Sequence, residues 1–99
     1  MHVASLTMEL RLPAAHSLKE KRAALRPIID GARRRFAVAA AEVGRQDAWH
    51  HAVVGMAAVS GSARHARDVL DSVERFVWSF PEVEVTSTTR GWMSDEDGS

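Results

Sequence analysis

Seven of the 13 lysines and arginines in this 99-residue chain lie between Lys19 and Arg35. On a helix turning about 100° per residue, Lys19, Arg22, Arg26 and Arg33 share one wedge of roughly 60°. A strip of cations of that kind suits phosphate. It is strongest at a helix start, where free backbone amides and the positive dipole end add to Lys19, Lys21 and Arg22. A second concentration of polar groups runs from Glu42 to His51, EVGRQDAWHH. There Arg45 and Gln46 can reach phosphates or base edges, and Trp49 offers a face on which a base can stack. The candidate nucleic-acid-binding residues are therefore Lys19, Lys21, Arg22, Arg26, Arg33, Arg45, Gln46 and Trp49. The competing reading is plainer: a solvated helix flank that aids solubility, and a turn held by an Asp47 cap with Trp49 packed beneath it.

Other chemistries find little support in the residue types. There is no cysteine, so disulfides and thiolate metal sites drop out. His50 and His51 are adjacent, so on a strand they face opposite ways and share a metal ion poorly. No Ser-His-Asp, Cys-His or HExxH arrangement is visible. The expectation is a chain that is not an enzyme and carries no cofactor or metal. At 45% hydrophobic and 26% charged residues it reads as one ordinary soluble domain. No basic leader precedes a long apolar run, and no apolar stretch approaches about 18 residues, so no export signal or membrane span is expected, and a cytoplasmic location is. The net charge of zero weighs against bulk affinity for nucleic acid. That zero hides segregation, because the cations of the first helix face only Glu20 and Asp30, while Asp95-Glu96-Asp97 is purely acidic.

These residues must be positioned by regular elements. Ser17-Leu18-Lys19-Glu20 fits a capping box and starts a helix at Leu18. Leu18, Leu25, Ile29, Ala32 and Phe36 form its apolar stripe, and Pro27 predicts one bent helix, or else two short ones with Pro27 opening the second. From His2 to Leu12 the chain alternates, with Leu6, Met8, Leu10 and Leu12 on one side, as a half-buried strand does. Ala37 to Val43 reads as a weaker strand, Gly44-Arg45-Gln46-Asp47 as a turn, and Ala48 to Ser60 as a strand apolar on both faces. Either Val53-Ala57-Val59 or Val54-Met56-Ala58 must then lie on a sheet face that nothing covers. Ser62 caps a second helix through Ala66, Val69, Leu70, Val73, Phe76, Val77 and Phe80, which Pro81 ends. Trp78 falls off that stripe and reads as a half-buried flank residue. Glu82 to Thr89 is the last strand, residues 1–92 make one domain, and 93–99 read as a disordered acidic tail.

The order strand, helix, strand, strand, helix, strand defines a ferredoxin-like α+β sandwich: a four-stranded antiparallel sheet with two helices on one face. Following the chain up and down through that topology brings His16 to Arg22, Gly44 to Trp49 and Phe80 to Glu82 to one end of the domain. RNA-recognition domains of this fold stack bases on aromatic residues of the sheet, in a K/R-G-F/Y-G/A-F-V-x-F/Y strand. The corresponding strand here reads HHAVVGMAA, so the helix flank and the end loops are the better RNA candidates. An acylphosphatase-type phosphate cradle is also missing, since Leu12 to Lys19 has no glycine.

Three stretches, SLKEKR, LRPIID…RRRF and AEVGRQDAWHHAVVGMAAVS, resemble the YlxP-like family of small bacterial proteins, an uncharacterised domain family, over roughly Val3 to Trp92. That resemblance implies a ferredoxin-like fold and a cytoplasmic bacterial protein. Genes of the family often neighbour those for translation initiation and ribosome maturation factors, which implies an RNA or ribosome connection. It supplies no catalytic residues. The expected function is a non-enzymatic accessory protein that binds RNA or ribosomal particles through the basic helix and the adjacent hairpin loop. The alternative is a protein–protein interaction module, a weak homodimer joined through its open sheet face.

Overall fold

The period-two pattern of the first strand sets the frame of the molecule. The computed structural model describes residues 1–95. Its elements are β1 (His2–Arg11), α1 (Leu18–Phe36), β2 (Ala39–Gly44), β3 (His51–Ser60), α2 (Ala63–Trp78) and β4 (Glu84–Ser94). All strand pairs are antiparallel, in the order β2-β3-β1-β4, which is the ferredoxin-like sandwich read from the sequence. Ala4, Leu6, Met8 and Leu10 of β1 are buried against the helices. In β3 the choice between parities is resolved. Ala52, Val54, Met56 and Ala58 are buried, while Val53, Gly55, Ala57 and Val59 alternate with them onto the open face.

The two helices cover the same sheet face with different degrees of fit to expectation. In α2, Ala66, Leu70, Val73 and Val77 are fully buried, an i, i+4, i+7, i+11 stripe of the expected kind. In α1 the buried set is Lys21, Leu25, Ile28, Gly31 and Ala32. Leu18, Ile29 and Phe36 are only half-buried, so the buried stripe is rotated from the one the apolar residues alone define. Pro27 neither ends nor divides α1. It is exposed, as is Ala23, whose carbonyl loses its usual partner to the proline ring on the solvent side. Gly31 marks the close approach of the helices: a Cβ there would lie 2.6 Å from Phe76 Cζ.

Both ends of α1 are capped. Ser17 Oγ accepts from the Glu20 amide at 3.1 Å, and the Glu20 carboxylate accepts from the His16 amide at 2.8 Å. The reciprocal bond thus reaches one residue further back than in the usual capping box. At the other end Ala37 takes a left-handed conformation, φ 54°, ψ 42°.

Several element boundaries differ from the sequence reading. β2 begins at Ala39 and β3 at His51, because residues 45–50 form the connection. β4 runs on to Ser94, with Met93 opposite Val3 and Ser94 opposite His2. Asp95 then donates its amide to Met1 O at 2.9 Å. The paired structure therefore passes the expected domain end at 92, and Met93 and Ser94 belong to the sheet rather than to a tail. The rest of the expected acidic tail, 96–99, lies outside the described residues. Among the described residues no helix is long and apolar enough to cross a membrane.

Candidate functional site

The end of the domain that collects the polar residues is organised by a buried cation. Lys21 opens the inward stripe of α1, with its side chain 1% exposed. Its ammonium donates to Arg45 O at 2.9 Å and His51 O at 3.1 Å, with Gln46 O at 3.5 Å. It also pairs with Glu42 Oε2 at 2.9 Å. Glu42 is opposite Val54 in the register, which turns its side chain to the helix face of the sheet. The ammonium is thus held by turn carbonyls that accept its protons and by the charge of a carboxylate beside it, and the hairpin is tied to the first turn of α1. Lys21 was expected to meet nucleic acid. It does not: it is enclosed and saturated, and its role is to position what surrounds it.

Around this staple the expected end-of-domain cluster assembles. Leu12 donates its amide to His50 O at 2.8 Å, and the rings of His16 and His50 meet edge-on at 6.4 Å. A surface hollow lined by Ala23, Ala24, Pro27, Phe80, Pro81 and Glu82 brings the end of α2 to the same region. The turn is closed by the Ala48 amide donating to Arg45 O at 3.1 Å, with Arg45 in the left-handed region at φ 55°. The carbonyls of the turn serve the lysine, and Asp47 provides no side-chain hydrogen bond among the described residues. Arg45 and Gln46 are exposed. Trp49 is 50% exposed, with one edge against His50 at 6.4 Å, so it is not packed beneath the loop.

The basic flank divides in two. Lys19, Arg22 and Arg26 are exposed, and among the described residues none of them forms an ion pair. Glu20, the nearest carboxylate in sequence, is engaged in the cap. Arg33 stands about 16 Å further along the helix axis than Arg22. Its guanidinium donates to Ala40 O at 2.7 and 3.0 Å and sits 3.5 Å from Asp30. It anchors the start of β2 and lies away from the hairpin loop. Arg26, Arg33 and Arg34 together line a shallow depression with Pro27 and Asp30.

His16, His50 and Arg34 were not singled out by the sequence reading as binding residues. The two histidines were findable: one precedes the N-cap and the other follows Trp49, and the topology places both at the same end. Trp78 is 59% exposed, more open than a half-buried flank. The remaining charge network is structural. Arg90 of β4 binds Asp71 and Glu74 of α2 at 2.8 and 2.9 Å. Burial disfavours its charge, but the hydrogen bonds to Glu74 and Asp71 prevail and raise its pKa above the usual arginine value.

An antiparallel sheet in this order, with both helices on one face, defines a ferredoxin-like βαββαβ domain. The chain belongs to the family described as "Protein of unknown function (DUF503)", whose profile matches residues 3–90. It is 44% identical over 79 residues to a Bacillus subtilis (strain 168) relative, "Uncharacterized protein YlxP", covering 80% of this chain and 86% of that protein. Among solved structures it resembles the solution NMR structure of the de novo designed protein LFR1 1 with ferredoxin fold. The TM-score is 0.54 at 10% identity, over 100% of this chain and 91% of that one. At that identity the likeness concerns the fold alone.

Proposed function

We propose that this chain is a non-enzymatic accessory protein of the bacterial cytoplasm that binds RNA, free or within ribosomal particles. The contact runs through Lys19, Arg22 and Arg26, with Arg45, Gln46 and Trp49 beside them. One observation carries the reading: three exposed cations on successive turns of one helix flank have no acidic partner among the described residues. Cations that merely solvate a surface commonly sit beside carboxylates; here the adjacent carboxylate is withdrawn into a cap. Lys19 to Arg26 spans about 10 Å of helix axis, which gives each of the three cations room to meet its own phosphate. The half-exposed Trp49 supplies a stacking face that accepts any base.

The test is co-sedimentation with ribosomal particles, and with bulk RNA, across a salt series. Three phosphate contacts give a slope of about −2 to −3 in log K against log salt. Arg22→Glu with Arg26→Glu should weaken binding at least tenfold and flatten that slope while the fold is kept, since neither side chain touches the core. Unchanged binding in the double reversal would remove this flank as the site.

A further inference from the structure

The sheet face turned away from the helices is a second surface, and its reading does not depend on the basic flank. Its middle rows hold nothing larger than threonine, with Ala57, Ser5 and Gly91 side by side and Ala41, Gly55 and Thr7 in the next row. All of these but Gly91 floor a shallow trough of about 340 Å³. Aliphatic side chains stand at its two ends: Val59 is 65% exposed and Met93 56% at one, and Val43 is 57% exposed at the other, leaning over Gly55. Charge is confined to the far end of the strands, where Glu9 lies beside the Arg11–Glu84 ion pair of 2.9 Å. Among the described residues a polyanion finds no free cation there. What fits a flat, neutral, small-residue floor edged with aliphatic side chains is another flat sheet, and this chain supplies one.

We propose that the chain forms a two-fold homodimer by laying this face on the same face of a second copy. A two-fold axis running across the strands reverses their direction in the partner, so the small-residue rows of the two copies meet and the Val59–Met93 end of each copy faces the Val43 end of the other. Ten-residue β1 and β3, eleven-residue β4 and six-residue β2 give about 600 Å² of sheet per copy, or about 1,200 Å² for the pair, at about 3.4 Å per residue and 4.8 Å per strand. That area lies at the lower limit of specific interfaces, which makes the dimer weak and reversible. Both helix layers face outward in this arrangement, so each copy keeps its basic flank free.

Sedimentation velocity on the full chain, from about 10 to 500 µM, tests the idea in the range where interfaces of this size dissociate. The unmodified protein should pass reversibly from monomer to dimer. Ala41→Arg and Val59→Glu, each on an exposed position of this face, should weaken the dimer at least tenfold with an unchanged thermal melt. Arg22→Glu with Arg26→Glu should leave it intact, which separates this proposal from RNA binding. A strict monomer at the highest concentration overturns the proposal, and so does a dimer indifferent to both face substitutions. Should Ala41→Arg disturb the melt, Val59→Glu alone decides.

Discussion

Replacing Lys21 with methionine probes the junction that positions the candidate site. Methionine keeps the length of the stem and leaves no cavity, so the change is confined to the charge and its hydrogen bonds. The bonds run to Arg45 O and His51 O at 2.9 and 3.1 Å, and the charge pairs with the Glu42 carboxylate at 2.9 Å. The glutamate side chain is 16% exposed, so little water can replace its partner. Breaking a buried pair from one side costs about 3–5 kcal/mol. The turn carbonyls regain water in part, so about 4 kcal/mol is a fair sum. Against the roughly 5–15 kcal/mol that holds a small domain together, this is a large share. At about 4–8 °C per kcal/mol it lowers Tm by roughly 15–30 °C. Guanidinium unfolding followed by far-UV circular dichroism measures the loss directly. Glu42→Gln removes the stranded charge, so Lys21→Met with Glu42→Gln should be about 1–2 kcal/mol more stable than Lys21→Met alone. A Lys21→Met protein within 1 kcal/mol of the unmodified one, or no recovery in the double variant, refutes the reasoning.

Three further substitutions address the helices. Ser17→Ala removes the acceptor for the Glu20 amide and should cost about 1 kcal/mol, with Ser17→Gly losing only a few tenths, as read from urea midpoints. Ala37→Gly relieves a left-handed alanine at φ 54° and should raise stability by about 0.5–1 kcal/mol, visible as a higher Tm. Gly31→Leu forces a side chain into the ring of Phe76, itself edge-on to Phe36 and Phe80 at 5.5 and 5.0 Å. It should cost more than about 2 kcal/mol by overpacking, and a neutral result by calorimetry would mean that the aromatic cluster yields easily.

The element order was readable because β1 alternates cleanly and α2 keeps its apolar spacing over four turns, signals that depend only on local geometry. Less readable was the rotation of α1. A stripe drawn through apolar residues alone excludes Lys21, and with it the true centre beside Ile28. Nothing local marks a lysine for burial. Its partners, Glu42, Arg45 and His51, stand 21 to 30 residues away in the chain and exist as a site only once the hairpin has docked. The end of the last strand, expected at Thr89, was hard to read for another reason: Gly91 continues β4, and a Cβ there would collide with Ser5 Oγ. Glycine inside a strand can record a close approach as well as an end. Of the candidate binding residues, Lys19, Arg22, Arg26, Arg45, Gln46 and Trp49 are exposed as read. Lys21 and Arg33 differ because carbonyl oxygens of the neighbouring strand and turn take up their donors.

The chain contains two lysines, Lys19 and Lys21, and the fold gives them opposite fates toward amine-directed reagents. Lys19 is open to solvent, whereas the Lys21 amine is reachable only after the hairpin lifts from α1. Acylation of Lys21 therefore counts opening events of that junction, in the way amide exchange counts local unfolding. Lys19 serves as an internal standard two residues away, and mass spectrometry of one short peptide reads both. Added RNA should shield the first lysine without altering the second, whereas loosening of the hairpin should do the reverse. Occupancy of the flank and integrity of the joint beneath it thus become separate signals from a single labelling reaction.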